Sequence, residues 1–346
     1  MLKNYFVTAF RALSRDKVYS LINILGFSIG IACTLLILFW VQDELSYDRQ
    51  HINKERIYRV IARIPTGDGF MKAAVTPAAL APMLEEQFPA IEKATRFKGM
   101  GSYTLVKGEK RFQEQHLGLA ESKVFSIFSF PMIQGDPATC LDGPNSIVLT
   151  RSLANKYFGQ QDPLGQEVEI LGVGNFTVTG VMEDVSHSHF PIKYLIPIEW
   201  AEHFYEEDID ELGSYNYTTY ILARKNVDAG RLGRELELFL NRYADEHRQD
   251  NEVYSRLFLQ KLTDVYLKSD YAYDFTHRGD IRSVYTFSAI ALIILLIASI
   301  NFMNLTTARS ANRAKEIGVR KVQGARRKHL IIQFYMEPAL ITLLSF

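Results

Sequence analysis

Hydrophobic positions along this chain fall into contrasting regimes. Two stretches carry no charge at all: Leu21 to Val41 (LINILGFSIGIACTLLILFWV) and Ser283 to Ala308 (SVYTFSAIALIILLIASINFMNLTTA). At about 1.5 Å of rise per residue, each makes a helix that spans the roughly 30 Å of bilayer hydrocarbon. Transmembrane helices are therefore expected over 21–41 and 283–308, since a helix buried in a soluble core rarely runs so long without polar residues. The first run exceeds a signal-peptide h-region, about 7–15 residues, and is expected to stay as an anchor. Residues 2 to 13 follow another rule. Leu2, Tyr5, Phe6, Ala9, Phe10 and Leu13 share one face at helical spacing. Segment 1–20 is thus expected to hold an amphipathic helix, lying in the inner headgroup layer or packed on other membrane helices.

Between the spans, over 42–282, the period shortens and alternates with helical stripes. Ile57 to Ile64 predicts a strand with Tyr58, Val60, Ala62 and Ile64 on one face and Arg59 and Arg63 on the other. A helix is expected from Thr76 as N-cap with Pro77 at its first position, carrying Leu80, Leu84 and Phe88. The order recurs later: a strand over 217–223, a helix capped by Asp228 with Leu232, Leu236, Phe239, Leu240 and Tyr243 inward, then a strand around Leu257 and Leu259. These two strand–helix units bracket 100–214. That stretch reads as an inserted β-rich subdomain with strands at 146–150, 167–171 and 176–182 and a short helix over 152–158 capped by Thr150. The fold class is accordingly an α+β membrane protein whose transmembrane helices flank a mixed α/β extracytoplasmic domain. After the second span, 309–329 is charged and helical. An apolar helix from about Leu330, containing Pro338, is expected to begin a third span that is cut off at Phe346.

Charge sets the orientation. Lys3, Arg11, Arg15 and Lys17 precede the first span, and Arg309, Arg313, Lys315, Arg320, Lys321, Arg326, Arg327 and Lys328 follow the second. By the positive-inside rule both of these segments are cytoplasmic and 42–282 lies outside. The net charge of zero conceals a segregation: 27 basic and 36 acidic residues remain in the outer domain, a net of −9. That balance gives no reason to expect nucleic-acid binding. The two cysteines, Cys33 in the first span and Cys140 outside, cannot pair with one another.

Candidate chemistry is sparse. No phosphate-binding loop or nucleophile elbow is present, no catalytic residue or cofactor site is assigned, and Gly172 and Gly174 read as a hairpin turn. His187 and His189, near Glu183 and Asp184, could face one metal ion but lack further ligands, so no metal is assigned. The acidic run Glu202 to Glu211 reads as a solvated face. In the first span, Gly26 and Gly30 form a small-xxx-small pair that lets another helix approach closely.

One constellation is more specific. RSANRAKEIGVRKVQGARRKHLIIQF, 309–334, resembles the cytoplasmic loop of the MacB/FtsX-type ABC transporter permeases through Arg313, Glu316, Ile317, Gly318, Arg320, Gly324, Ala325, Gln333 and Phe334. NSIVLTRSLANKYFGQQDPLGQEV with FTVTGVMEDV resembles the family's periplasmic core domain, and NYFVTAFRALSRDKVYSLINILGFSIGIA its opening helices. The resemblance implies a permease subunit without ATPase activity of its own, docking a cytoplasmic ABC ATPase expected on another chain. It also implies a second permease half or a homodimer partner, alongside membrane lipids. Arg313, Glu316 and Arg320 would make the polar part of the ATPase contact and Ile317 and Val319 the apolar part, with Gly318 and Gly324 permitting close approach. Lipid attraction explains the arginines, at roughly 1 kcal/mol per cation, but not Glu316 or the glycines. The alternatives are a two-span receptor with a ligand-sensing outer domain and, more weakly supported, a membrane-tethered hydrolase.

Overall fold

The computed structural model describes residues 11, 17–67, 69–205, 209, 212, 215–246, 255–312, 318–319, 321–322 and 327–345. The chain divides into two compact units: Met1–Leu45 with Ile281–Phe346, and Ser46–Asp280. The amphipathic stretch 2–13 lies outside the described residues except for Arg11.

The first unit is helical, with helices at Lys17–Glu44, Ile281–Asn312 and Arg327–Ser345. The first two carry the uncharged runs, and their apolar side chains point outward: Leu36 is 69% exposed and Ile297 62%. Helices of a soluble core would bury these groups, so a bilayer is their natural solvent. What the first helix buries is small or polar: Ser20, Asn23, Gly30 and Thr34, a seam at spacings of three, seven and four. Across that seam Trp40 meets Phe287 and Phe27 stacks on Phe302, which makes the two helices antiparallel.

The second unit is built on a 14-stranded sheet. Its strands are β1 (Ile57–Thr66), β2 (Gly69–Ala73), β3 (Thr76–Pro77), β4 (Ile91–Gly99), β5 (Tyr103–Lys107), β6 (Lys110–Glu114) and β7 (Leu117–Ala120). There follow β8 (Met132–Gln134), β9 (Ser146–Thr150), β10 (Glu167–Ile170), β11 (Gly174–Met182), β12 (Tyr194–Pro197), β13 (Tyr215–Ala223) and β14 (Arg256–Lys261). The order is β14-β1-β13-β4-β7-β12-β9-β11-β10-β5-β6, with β2 on β1, β3 on β13 and β8 on β11. The β9–β11 and β7–β12 pairs are parallel and the other ladders antiparallel.

The strand–helix units at either end of this domain form one layer together. Tyr58, Val60 and Ala62 pack with Leu80, Leu84 and Phe88 and with Leu232, Leu236, Phe239 and Leu240, as their alternation and helical spacing require. Asp228 caps its helix, Ala229–Glu237, by accepting from the Gly230 and Arg231 amides. That helix is interrupted at half-exposed Leu238 and resumes as Phe239–Glu246. Two capping expectations are corrected. Thr76 lies in β3, donates its hydroxyl to the Tyr217 carbonyl and shares a hydrogen bond with the Thr219 hydroxyl, so the helix starts later, at Leu80–Gln87. Thr150 precedes helix Arg151–Phe158 but makes no side-chain cap.

The stretch 100–214 continues the same sheet through the β4–β7 ladder instead of folding away from it. An aromatic core spans the join, with Phe125, Phe128 and Phe190 against Ile57, Tyr220 and Leu262. Glycine is required where β7 meets this core. A Cβ at Gly118 would sit 2.6 Å from the Phe97 ring and 2.7 Å from Leu195.

Candidate functional site

The other face of β1 carries the least expected residue. Arg59 lies in the run IYRVIARI and its side chain is fully buried. It forks onto Asp274, Nη1 donating to Oδ1 at 3.1 Å and Nη2 to Oδ2 at 3.0 Å. Its remaining donors go to Gln260 Oε1 at 2.8 and 3.1 Å and to the Ser269 hydroxyl. A buried guanidinium is tolerable only with such complete pairing. Burial opposes ionisation of Asp274, yet Arg59 outweighs it and holds the carboxyl below the usual range.

Arg59 stands opposite Tyr220 on neighbouring β13. Tyr220 OH lies 2.7 Å from His189 Nε2, and His189 Nδ1 lies 2.7 Å from Asp48 Oδ1. Asp48 and Tyr220 thus engage both ring nitrogens of His189, and the Arg59–Asp274 pair continues this buried polar relay across the β1–β13 ladder. Linked polar groups of this kind rigidify a core. Burial pushes the Tyr220 phenol up, so it keeps its proton. Burial opposes the Asp48 charge as well, but His189 and His51 bring the carboxyl below its ordinary value.

The ends of this relay define its place in the chain. Asp48 belongs to the segment that follows the first membrane helix, and Asp274 to the segment that precedes the second. Further bonds bring those segments to common anchors. His189 O accepts from the His277 amide at 2.8 Å, while its own amide donates to Asp48 at 3.2 Å. Tyr266 stacks on Tyr47 at 3.6 Å, and its carbonyl accepts from the Gly279 amide at 2.9 Å. His51 extends the anchoring by accepting from the Ser129 amide at 3.1 Å. Burial is the main reason its imidazole is lowered to about 4, with Asp48 pulling the other way.

The residues singled out from sequence are distributed differently. His189 has both ring nitrogens engaged, and His187 packs edge-on to Tyr47. Glu183 pairs with Arg151, and Asp184 accepts from the Ser152 amide and hydroxyl. No group of three metal-ligating side chains occurs among the described residues. Burial pushes the Cys140 thiol up to about 12, the state of a packing residue. Gly30 faces the second span of the same chain, where an added Cβ would lie 2.5 Å from Ala298 Cβ; Gly26 has the looser contact, 3.6 Å to Asn301. In the charged segment Arg313, Glu316, Ile317, Arg320, Gly324 and Ala325 lie outside the described residues. Gly318 is helical and exposed, and Val319 is exposed beside it.

A helical membrane unit joined at two points to a mixed α/β outer domain is the layout of an ABC transporter permease with a periplasmic domain. The family described as MacB-like periplasmic core domain matches residues 20–238, and FtsX-like permease C-terminal matches 288–346; the chain belongs to this family of ABC transporter permeases. It is 22% identical over 352 residues to an uncharacterized ABC transporter permease, YvrN, of Bacillus subtilis, across 96% of this chain and 82% of that one. It is also 22% identical to the macrolide export ATP-binding/permease protein MacB of Wolinella succinogenes, spanning 97% of this chain but half of that protein's length. Among solved structures, a permease domain from Porphyromonas gingivalis shares the fold at a TM-score of 0.52 and 24% identity, over 62% of this chain and 92% of that domain. The family and the outward apolar helices place the chain in a membrane.

Proposed function

We propose that this chain is the permease subunit through which ATP hydrolysis by a cytoplasmic ABC ATPase moves an extracytoplasmic domain, for export or handling of a substrate already outside. One observation carries the reading. Both segments that join the spans to the domain end on one buried polar relay: Asp48, His189 and Tyr220 are hydrogen-bonded in series, and Arg59, opposite Tyr220 in the sheet, clamps Asp274. A displacement of either span is then delivered to the buried β1–β13 ladder instead of being absorbed in a slack loop. The uncharged spans agree with this, because a polar route through the membrane usually carries ionisable groups.

In this reading 42–282 is extracytoplasmic, 309–329 is the cytoplasmic coupling segment, and 330–346 belongs to a third span of a multi-pass protein. A second permease half or a second copy completes the membrane unit. Arg313, Glu316 and Arg320 make the polar part of the ATPase contact and Ile317 and exposed Val319 the apolar part, with Gly318, Gly324 and Ala325 completing the coupling motif. Glu316→Lys is expected to abolish co-purification of the ATPase while leaving the outer domain's melting unchanged. Undiminished co-purification would remove the coupling assignment.

A further inference from the structure

Beside the relay lies a cavity of about 520 Å³ in the outer domain, within the roughly 300–1,000 Å³ typical of small-molecule sites. Its apolar wall is made by Phe97, Met100, Leu117, Pro191 and Phe275; His116, Asn216, Thr218 and Thr276 are its polar members. Phe275 is 59% exposed, yet it does not sit on a loose loop. Asp274 before it is clamped by Arg59, and Thr276 after it donates its amide and hydroxyl to Asp274 Oδ1 at 3.1 and 2.6 Å. A large aromatic held open on a pinned turn is apolar surface with a reason to be there.

The domain is acidic overall, but no carboxylate among the described residues lines this cavity. One titratable side chain on its wall is His116, whose ring lies 5.8 Å from that of His277 and whose carbonyl accepts from the Lys193 amide. Lys98 also contributes to the lining, with its ammonium 4.7 Å over the Tyr217 ring. Asp274, which precedes Phe275, is paired with Arg59.

We propose that this cavity binds a small anionic molecule with an aromatic body, the rings seated between Phe97 and Phe275 and the anion directed to His116. The proposal does not depend on the coupling role above. Burial, with His277 and Lys193 nearby, lowers the His116 imidazole, so it is uncharged in the empty site. An arriving anion favours the imidazolium, which makes binding tighter as pH falls.

The test uses the full chain in phosphatidylcholine nanodiscs, with equilibrium dialysis of naphthoate, naphthylmethanol and naphthylmethylammonium and subtraction of protein-free discs. Naphthoate is expected to bind about tenfold tighter than the ammonium analogue, the worth of one charge-assisted hydrogen bond, and tighter at about pH 6 than at about pH 8. His116→Ala should erase the preference for the anion. Gly99→Leu should block binding, because a Cβ there meets only Phe275 and Phe97, at 3.5 and 3.8 Å, and a longer side chain fills the space. Phe275→Ala, at an exposed position, removes the aromatic wall and stands in if the Gly99 variant fails to fold. Binding no greater than that to empty discs, equal binding of the three probes, an anion preference that survives His116→Ala, or undiminished naphthoate binding by folded Phe275→Ala would each overturn the proposal.

Discussion

The tightest constraint in the membrane unit is a single methyl group. In Gly30→Ala the new Cβ would stand 2.5 Å from Ala298 Cβ, against about 3.5–4.0 Å for carbon atoms in ordinary contact. The helices must part by about 1 Å at this point, which also stretches the Thr34 hydroxyl to Ala291 carbonyl contact, already 3.4 Å. Overpacking of this kind costs about 1–3 kcal/mol, and relief of glycine's helix penalty returns up to about 1 kcal/mol. A net loss of about 1–2 kcal/mol is expected. Ala298→Gly removes the opposing methyl and leaves the Ala298 Cα at 3.9 Å, so the double variant should recover most of the loss. The chain has two tryptophans, and Trp40 packs edge-on to Phe287 at 4.8 Å across the same pair of helices. In a Trp200→Phe background, Trp40 emission during titration from mild detergent into dodecyl sulfate reads the midpoint for all four members of the cycle. A coupling energy near zero between positions 30 and 298 would refute the packing argument.

Other expectations concern the outer domain. Asp274→Asn leaves Arg59 buried without its counter-charge and should cost about 3–5 kcal/mol in denaturant unfolding, whereas Arg59→Met with Asp274→Leu should lose far less. An equal loss in both would mean that packing, not charge pairing, holds the site. The domain should also lose stability between about pH 6.5 and about 4. Over that window His51 takes up a proton in the unfolded chain but stays neutral when folded, a contribution of at most about 3 kcal/mol. His51→Asn should flatten this part of a melting-temperature profile. The depressed carboxyls of Asp48 and Asp274 add stability above the ordinary carboxylate range and lose it as pH falls through their folded values, below the His51 window.

Much of the architecture was legible because periodicity reports burial. β1, β9, β11, β13 and β14 alternate or run apolar between turn residues, and the inward stripe Leu232, Leu236, Phe239 and Leu240 has helical spacing. β4, β6 and β12 gave no such trace. β4 buries Arg96 and Lys98 in a strand that reads as charged, and β6 is KRFQE at the sheet edge. β12 is four buried residues with no polar partner to alternate against. Thr76-Pro77 has the composition of a helix start, but Thr219 lies across the ladder and claims the hydroxyl. The relay was the least legible feature. Its bonds join residues 141 and 215 positions apart, and no local pattern encodes such pairs. The one clue was an arginine in the middle of an otherwise apolar strand, which must either face water or find a counter-charge.

The anchoring of Tyr47 and Gly279 on the same tyrosine has a topological corollary. Since the chain goes in and comes out at neighbouring points, Ser46–Asp280 is a module inserted into the bend of an antiparallel helical hairpin. Strands remote from that gateway, such as the β5–β6 ribbon, can lengthen, shorten or change composition without moving the two stems. One membrane scaffold can thereby present many different outer surfaces.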